Sequence, residues 1–304
     1  MQIEKAARQL GFARMAALAV TDPAAEYQAF HKDFVARELP QDLYYLRRPE
    51  RYQIDSLLPG AQTMLLFTYP YRFRHVEEKL RNARYKIARY AWQQDYHDLL
   101  KRKLVKLVGE FSLSGRAVTD SAPFAERYWA RRAGLGRIGR SGMLIDDQLG
   151  SYFLIATLVL TDVLKFSPPP QAAAPASDIE SVCGECRLCV EACPTGALRG
   201  DSLMDTARCL SFQTIESRAD IGQMPAPIRR HSWIFGCDVC QQVCPWNKSV
   251  FAAEEFSAEH PLAGQVASGQ LPENRTRLKG SVFHRRGVHK LKQNIAAVER
   301  TGFT

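Results

Sequence analysis

The chain has 304 residues, of which 46% are hydrophobic and 24% are charged, and its formal net charge is +9. These values are typical of a globular protein of roughly two domains, and the positive charge favours an acidic partner such as nucleic acid. The longest apolar run, Tyr152–Leu160, is far shorter than the ~20 residues of a membrane-spanning helix. Met15–Val20 is too short for the core of a signal peptide. We therefore expect a cytoplasmic protein with no membrane segment, whose thiols stay reduced.

Residues 1–165 are predicted to form an α/β domain, because apolar runs of strand length alternate with helical patterns. In chain order, the pattern predicts strands at Met15–Val20 and Thr63–Tyr69 with a helix at Ala24–Leu39 between them, a basic helical stretch from about His75, a helix at His97–Phe111, a strand at Arg116–Thr119, and a hairpin of Gly142–Ile145 with Ser151–Thr161 around Asp146–Gly150.

Three further segments follow this domain. Residues 166–177 contain three consecutive prolines and several alanines, which predicts a linker. Residues 178–250 form a cysteine-rich domain, and residues 251–304 form a basic extension that is partly helical from Arg275 onward.

The cysteines are the strongest signal, because all eight lie between Cys183 and Cys244. Cys183, Cys186, Cys189 and Cys193 are separated by two, two and three residues, and Pro194 follows them. This is the spacing of bacterial ferredoxins with two [4Fe–4S] clusters, in which the fourth cysteine binds the other cluster. A zinc site usually has two separated pairs of cysteines instead, so zinc and disulfides are the weaker alternatives.

A second set repeats the end of this pattern at Cys237, Cys240, Cys244 and Pro245, and Cys209 supplies its missing member. Exchange of the fourth ligand then predicts two complete sites. The first cluster would be bound by Cys183, Cys186, Cys189 and Cys244, and the second by Cys193, Cys209, Cys237 and Cys240.

Several motifs elsewhere resemble the epoxyqueuosine reductase family. They are Leu58–Ala61 (Leu-Pro-Gly-Ala), Asp95–His97 (Asp-Tyr-His), Val118–Pro123 (Val-Thr-Asp-Ser-Ala-Pro), Glu126–Arg127, the glycine loop 133–139, Gly150–Ser151, Cys193–Leu198, Arg208–Ser211 and Gly236–Asp238. The resemblance covers about residues 1–250. It implies an N-terminal domain that binds cobalamin, followed by a ferredoxin-like domain with two [4Fe–4S] clusters.

The resemblance also implies the reaction. Family members reduce the epoxide of epoxyqueuosine in the anticodon loop of tRNA to queuosine, the last step of queuosine biosynthesis. Electrons pass through the two clusters to cobalamin, and an acid protonates the leaving oxygen. Asp120 occupies the position of this proton donor. An ordinary aspartate has a pKa near 4, so we expect burial to raise the pKa of Asp120.

Other contacts with cobalamin follow from the same resemblance, each with a competing structural role. Arg51 could instead be a surface residue, Leu144 and Ile155 could be core residues, and Ser211 and Asp238 could form caps or turns. Cys237 would lie at the boundary between the second cluster and the cofactor.

Two motifs point elsewhere when they are read alone. Gly134, Gly136 and Gly139 match a dinucleotide-binding fingerprint, but that fingerprint should follow a strand and open a helix, whereas here a helical stretch precedes it. Asp95–His97 begins like a motif in which histidine binds cobalt, but Leu100 replaces the glycine that should follow. We therefore expect His97 to be structural and cobalt to lack a histidine ligand.

The basic extension could bind RNA through phosphate contacts, and a solvated basic helix is the alternative. The candidate residues are Arg275, Arg277, Lys279, Arg285, Arg286, Lys290 and Lys292. The expected partners are the anticodon stem-loop of a tRNA and a cytosolic electron donor of the flavodoxin or ferredoxin type, with the protein a monomer.

Two other functions share part of this pattern. A reductive dehalogenase-like enzyme has the same cofactor layout, but such enzymes usually carry a twin-arginine signal and protonate with tyrosine, and neither feature matches this sequence. A plain electron-transfer ferredoxin fused to an inert domain would bind no cobalt.

Overall fold

The structure is a computed structural model that describes residues 2–20, 40–43, 54–120, 122, 124–165, 178–225 and 231–302. The predicted helix Ala24–Leu39, the linker 166–177 and Arg51 lie outside the described residues. Within the described ranges, no helix combines the length and the apolar character needed to cross a bilayer.

A four-stranded antiparallel sheet forms the centre of the N-terminal part. It contains β1 (Arg14–Ala19), β2 (Thr63–Pro70), β4 (Gly115–Val118) and β7 (Phe153–Leu160), in the order β1-β2-β7-β4. The register pairs Leu65 with Leu158 and Ala117 with Leu158, so β7 is the central partner of both neighbours. The predicted strands at Met15, Thr63 and Arg116 are confirmed, with ends shifted by a residue or two.

Strand β2 is buried on both faces. Leu65 and Phe67 belong to one core cluster, whereas Met64 and Leu66 belong to the other. This alternation follows from the two-residue period of a strand, since successive side chains point to opposite faces. The sheet therefore separates two apolar layers, each covered by helices.

The helix α4 (Tyr96–Glu110) covers one face of the sheet. Asp95 caps it, because the Asp95 carboxylate accepts a hydrogen bond from the His97 backbone N–H at 3.0 Å. Leu100, Leu104 and Leu107 recur at helical spacing and are fully buried. The helix predicted at His97–Phe111 is thus confirmed, one residue earlier at each end.

The other face is covered by α5 (Glu126–Arg132), whose Trp129 and Ala130 are buried in the second core cluster. Other helices in the described part of this region are α1 (Gln2–Gln9), α2 (Ile54–Leu57), α3 (Arg74–Arg81) and the 3₁₀ helix Arg89–Trp92. The helical stretch expected from about His75 corresponds to α3.

The predicted hairpin of Gly142–Ile145 with Ser151–Thr161 is wrong. Strand β6 (Leu144–Ile145) pairs with β5 (Arg137–Ile138), and β7 pairs with β2 and β4. A single antiparallel bridge between Asp146 and Gly150 closes the intervening turn. The two apolar runs are both buried, but β7 is long enough to span the main sheet, so it pairs there. Because α5 precedes the glycine loop and β5 and β6 follow, the context of a dinucleotide fingerprint is absent.

The cysteine-rich part contains short elements joined by turns. In chain order they are α6 (Asp178–Cys183), α7 (Leu188–Glu191), the 3₁₀ helix Thr206–Arg208, the π-helix Phe212–Glu216, the 3₁₀ helix Ile221–Gln223, β8 (Trp233–Phe235), α8 (Val239–Gln242) and the 3₁₀ helix Pro245–Asn247. Strand β8 pairs in parallel with β3 (Lys86–Ile87), which ties this part to the N-terminal part.

The C-terminal residues pack against both preceding parts. They form the 3₁₀ helix Glu254–Phe256, α9 (Leu262–Ser268), the 3₁₀ helices Arg275–Leu278 and Val282–Arg285, and α10 (Gly287–Arg300). Phe283, Leu291 and Val298 are buried in the same core cluster as Leu100. Asn294 of α10 donates hydrogen bonds to the carbonyl oxygens of Thr214 and Ile234, both at 2.9 Å. The predicted helical character of this basic segment is confirmed.

Candidate active site

Four cysteines from distant positions face one another at the first predicted cluster site. Burial and the neighbouring thiols of Cys183, Cys244 and Cys186 raise the pKa of Cys189. Burial, together with Cys183 and Cys186, also raises the pKa of Cys244, which shows that Cys244 reaches this group from 55 residues further along the sequence than Cys189. The structure therefore brings together the four cysteines predicted for the first cluster.

The second predicted set is assembled in the same way. Burial raises the pKa of Cys237 to about 12, with further contributions from Asp238, Cys209 and Cys193. Burial and the thiols of Cys237 and Cys209 raise the pKa of Cys240 well above its usual value. Cys189 also acts weakly on Cys240, so the two sets lie close to each other.

Backbone N–H groups point at several of these sulfurs. Ala197 donates to the Cys193 Sγ at 3.3 Å, and Arg140 donates to the Cys183 Sγ at 3.4 Å. Burial raises the pKa of Cys209, and backbone hydrogen bonds from Phe212 and Ser211 partly offset this rise. Such donors stabilise thiolate ligands and help to set the potential of an iron–sulfur cluster.

The donor chemistry of the two cysteine sets suits iron–sulfur clusters. Each set consists of four free cysteines, and within each set the thiols act on one another electrostatically. Four cysteine thiolates are the donor set that a [4Fe–4S] cluster requires. The residues present therefore fit two [4Fe–4S] clusters.

Asp120 lies just beyond the end of β4, at the mouth of the N-terminal part. Its φ of +45° is in the left-handed region, which is uncommon for a residue other than glycine. The Tyr96 hydroxyl donates a hydrogen bond to the Asp120 Oδ2, and the Glu126 carboxylate accepts the Asp120 backbone N–H at 2.5 Å. The His97 Nε2 is 3.7 Å from the same Oδ2. Three side chains thus hold the aspartate in its strained conformation.

These neighbours reverse the expected protonation of Asp120. Burial acts to raise the pKa of Asp120, but His97 and Tyr96, with the charge of Arg285, lower it below its usual value. The sequence-based expectation of a raised pKa considered burial alone. Glu126 carries the opposite shift, because burial and the charge of Asp120 raise the pKa of Glu126 to about 8.

The carboxylate of Asp120 has close neighbours but keeps exposed surface. Burial has the largest single influence on its pKa, yet 58% of its side-chain surface is accessible to solvent. We use the name acid hollow for the group of side chains around this carboxylate, which consists of Tyr90, Tyr96, His97, Asp120 and Glu126.

Tyr90 connects the acid hollow with the second cysteine set. Burial and the charges of Asp238, Asp120 and Glu216 all raise the pKa of Tyr90, so it lies between these carboxylates. Asp238 lies between the ligands Cys237 and Cys240, and Glu216 ends the π-helix that follows Cys209. The wall of the hollow therefore extends from Asp120 to the second cysteine set.

A buried ion network joins the two parts of the protein behind this wall. Asp238 accepts hydrogen bonds from the Arg89 backbone N–H at 2.8 Å and from its Nη1 at 3.1 Å, and Arg89 Nη2 donates to Glu77 at 2.7 Å. Only 7% of the Arg89 side chain and 3% of the Asp238 side chain are accessible. The Asp238 carboxylate, predicted as a cofactor contact, is thus engaged first with Arg89.

The other predicted cofactor contacts differ in their surroundings. Leu144 and Ile155 are buried in the second core cluster, in agreement with the core role that competed with their cofactor role. Ser211 precedes the π-helix, and its backbone N–H points at the Cys209 sulfur.

The basic residues of the C-terminal segment fall into two groups. Arg275, Arg277, Lys279, Arg285 and Lys292 are exposed, and the charge of Arg285 acts on both Asp95 and Asp120. Arg286 is half-buried and pairs with Glu216. Lys290 does not fit the prediction of an RNA contact, because it is only 6% exposed and its Nζ donates to the Ala219 carbonyl at 2.9 Å.

Comparisons with known proteins agree with this arrangement. The family model "Epoxyqueuosine reductase QueG, DUF1730" matches residues 51–121, and "4Fe-4S double cluster binding domain" matches residues 182–247. A curated epoxyqueuosine reductase of Synechococcus sp. (strain RCC307) is 37% identical over 268 residues, which are 84% of this chain and 79% of that protein. The chain belongs to the epoxyqueuosine reductase family.

Solved structures show the same fold for this family member. The epoxyqueuosine reductase of Streptococcus thermophilus matches with a TM-score of 0.81 and 24% identity, over all of this chain and 81% of that one. An epoxyqueuosine reductase in complex with an epoxyqueuosine-modified tRNA-Tyr stem loop matches with a TM-score of 0.78 and 22% identity, over 99% of this chain and 80% of that one. Membership of the family favours neither a dehalogenase nor a plain ferredoxin.

Sequence reasoning missed several residues of this family member's site. Arg89 and Tyr90 carry no motif, because their role depends on a parallel pairing of β3 with β8 that brings residues near 90 and 238 together. Glu126 was noticed only as part of a motif. Glu126 begins a helix and follows the strand-end Asp120 by six residues. This spacing is the signal that could have indicated its contact with Asp120.

Proposed function

We propose that this chain is an oxidoreductase that reduces the epoxide of epoxyqueuosine in tRNA to the alkene of queuosine. Membership of the family supports this activity. The observation that carries the proposal is the acid hollow itself, in which an accessible Asp120 carboxylate with a charged histidine partner shares a wall with a four-cysteine site. A proton-delivering group beside an electron-delivering site is what reductive loss of oxygen requires.

Two [4Fe–4S] clusters would deliver the electrons. We assign Cys183, Cys186, Cys189 and Cys244 to the first cluster and Cys193, Cys209, Cys237 and Cys240 to the second, as the electrostatic contacts among these thiols support. The first cluster would accept electrons from a cytosolic flavodoxin- or ferredoxin-type donor, and the second lies nearer the acid hollow, because Tyr90 responds to Asp238.

Cobalamin is the cofactor that fits the acid hollow. Asp120 keeps an exposed face, and beside it the half-buried Tyr90 packs edge-on against Tyr96 with ring centroids 5.8 Å apart. An exposed acid next to aromatic rings suits contact with a large flat macrocycle. When bound, cobalamin supplies a strongly nucleophilic low-valent cobalt. The residues that we propose to hold it are Arg51, Asp120, Ser211, Cys237 and Asp238. Leu144 and Ile155, whose side chains lie in the second core cluster, would contribute backbone groups.

The residues of the hollow would then act on the substrate oxygen. Asp120 protonates the oxygen as it leaves carbon, and Tyr96 and Glu126 fix the direction of the carboxylate through its Oδ2 and its backbone N–H. The charge of Asp120 is stabilised before the substrate arrives, so a proton must reach it during the reaction. General acids of this kind contribute about 10²–10⁴-fold to a rate.

The basic C-terminal surface would hold the tRNA. Arg275, Arg277, Lys279, Arg285, Arg286 and Lys292 form this surface, with Lys290 removed from the predicted set. Arg285 is the member nearest the acid hollow, as its effect on Asp120 indicates. Phosphate contacts here would present a nucleotide of the anticodon loop to Asp120.

Turnover of a defined substrate tests this function. The chain is purified without oxygen, reduced with dithionite and mixed with an anticodon stem-loop that carries epoxyqueuosine, and the nucleosides are identified by mass spectrometry. We expect conversion to queuosine, with conversion lost in Asp120→Asn and retained in Asp55→Asn, an exposed aspartate on α2. No conversion by a chain with full iron and corrinoid content would overturn the proposal.

A further inference from the structure

We propose that His97 supplies the protons that Asp120 delivers to the substrate oxygen, an inference that rests on the proposed function. The sequence alone predicted only a structural histidine. The geometry points instead to a line of three groups, Asp95, His97 and Asp120. In this line His97 holds a proton next to the Asp120 carboxylate and acts on the substrate only through Asp120.

The orientation of the His97 ring is fixed from both sides. Its Nδ1 is 2.7 Å from the Asp95 Oδ1, and its Nε2 is 3.7 Å from the Asp120 Oδ2. The ring stacks on Tyr96 with centroids 4.0 Å apart and planes inclined by 26°. The hydrogen bond of Nδ1 to one carboxylate fixes the direction of Nε2, which here faces the second carboxylate.

The charges around His97 favour its protonated form. The titratable and charged groups that face it are Asp95 and Tyr96 on its own element, Asp120 and Glu126 across the hollow, Arg285 from the C-terminal segment, and Lys101 and Arg116 along the adjoining cleft. Burial alone would lower the pKa of His97, but Asp120 and Asp95 raise it to about 9. At neutral pH both His97 and Glu126 therefore carry a proton while Asp120 is ionised. Glu126 contacts the Asp120 backbone N–H, whereas His97 Nε2 faces the Asp120 Oδ2, so His97 is the neighbour placed to protonate the carboxylate.

His97 lies at the start of a helix, where a positive charge on its ring is disfavoured. It is the second residue of α4, and the helix dipole destabilises a positive charge near a helix N-terminus. A histidine that served only to pack or to begin the helix would be favoured there in its neutral form. The two carboxylates that overcome this effect are the ones on either side of the ring.

Water can restore the proton. His97 lines a cleft of about 310 Å³ together with Lys101, Arg116 and Thr119, and 22% of its side chain is accessible. Asp120 is also accessible, with 58% of its whole side-chain surface open to solvent. His97 therefore has access to solvent on one side and to Asp120 on the other.

The proposed transfer balances with the reduction. Conversion of the epoxide to an alkene breaks two C–O bonds, forms one C=C bond, and consumes two electrons and two protons with release of water. Each proton passes from His97 Nε2 to Asp120 Oδ2 and then to the oxygen, while the electrons come from the reduced clusters. His97 becomes neutral, takes a proton from water and repeats the step. The separation of 3.7 Å must shorten first, as catalytic hydrogen bonds often do when substrate binds.

The first test measures the charge of His97 without turnover. The full chain with oxidised clusters and ¹⁵N-labelled histidine is titrated by NMR, and the His97 signal is assigned by its loss in His97→Gln. We expect a midpoint near pH 9, which falls by at least one pH unit in Asp95→Asn. A midpoint at or below the ordinary value of about 6.5 would overturn the proposal.

The second test measures the pH dependence of single-turnover reduction. In the wild type the rate should fall as pH rises through about 9. In His97→Gln it should be at least about tenfold lower at neutral pH, and this alkaline limb should be absent. His75→Gln is the matched control, because His75 also lies between two carboxylates, but these belong to Glu254 and Glu259 rather than to Asp95 and Asp120. We expect the control to keep the wild-type profile.

Two outcomes separate this inference from the proposed function. If the wild type reduces the substrate and His97→Gln only lowers the rate uniformly, with the alkaline limb unchanged, His97 is structural and the inference is wrong. If the wild type shows no reduction at any pH, the proposed function fails, and the transfer from His97 fails with it, whatever midpoint the NMR titration gives.

Discussion

The two four-cysteine sites and the acid hollow lie side by side, but they are specified in different ways. Seven of the eight cysteines belong to two short segments, 183–193 and 237–244, so local spacing alone fixes most of the ligands. The acid hollow combines residues near 90, 96, 120 and 126 with charges from positions 216 and 285. Its chemistry therefore depends on the tertiary structure rather than on any single motif.

This difference has a physical consequence for protonation. At the cysteine sites, backbone N–H groups within a few residues act on several of the sulfurs, as Ser211 and Phe212 do on Cys209 and Ala197 does on Cys193. In the hollow, the pKa of Asp120 is lowered by side chains from α4 and the C-terminal segment. A sequence can reveal the first kind of site directly, whereas for the second it can reveal only the residue at its centre.

Replacement of a cluster ligand should have the largest effect. The wild type should contain about eight irons, and Cys240→Ser should lose about four of them, because one ligand set becomes incomplete. Cys186→Ser should lose the other four. Iron analysis and electron paramagnetic resonance of the reduced protein measure both. Loss of all iron in both variants would show that the two sites are not independent.

Replacement of Asp120 should impair the acid hollow and leave the cysteine sites intact. Asp120→Asn should lower single-turnover reduction by about 10²–10⁴-fold, because the amide cannot deliver a proton. Its iron content should equal that of the wild type, since Asp120 contacts Tyr96, His97 and Glu126 rather than any cysteine. Full activity of this variant would remove Asp120 from the mechanism.

The ion network between the regions should be important for stability. Arg89→Met leaves Asp238 buried without its partner, which should destabilise the protein by about 3–5 kcal/mol in anaerobic urea unfolding. Arg84→Met is the control, because its pair with Glu299 is exposed, and it should change stability by no more than about 1 kcal/mol. Equal effects of the two variants would contradict a special role of Arg89.

The buried His231 should make the free energy of unfolding decrease as the pH becomes acidic. Its pKa is lowered, whereas that of His97 is raised. Burial lowers the pKa of His231 from 6.5 to about 4, so the unfolded chain binds a proton more readily between these values. Stability from this residue is present above pH 6.5 and is lost as pH falls toward 4, by about 3 kcal/mol at most. The apparent Tm of His231→Gln should therefore fall less than that of the wild type from pH 7 to 5. A parallel fall would exclude His231 as the cause.

The smallest effect should come from the RNA surface. Arg285→Gln should make the slope of log K against log [salt] for stem-loop binding less negative by about 0.7, the value for one phosphate contact on a single strand. Arg81→Gln, exposed on α3, should leave the slope unchanged. A wild-type slope in Arg285→Gln would mean that Arg285 does not contact the RNA backbone.

Much of the fold could be predicted from the sequence, for reasons that these regions illustrate. Strand β2 and helix α4 have clear periods of apolar residues, and both were predicted nearly to the residue. The hairpin of Gly142–Ile145 with Ser151–Thr161 was wrong because apolar runs indicate burial but not the pairing partner. The direction of the Asp120 pKa shift was wrong because it depends on His97 and Tyr96, whose approach follows from the packing of α4 against β4.

The most direct test of the whole account is the cofactor content of the anaerobically purified chain after incubation with cobalamin. We predict about eight irons and one corrinoid per chain, with Asp120→Asn binding both normally. A chain that holds its iron but binds no corrinoid under reducing conditions would contradict the account, because electrons would then have no acceptor in the acid hollow.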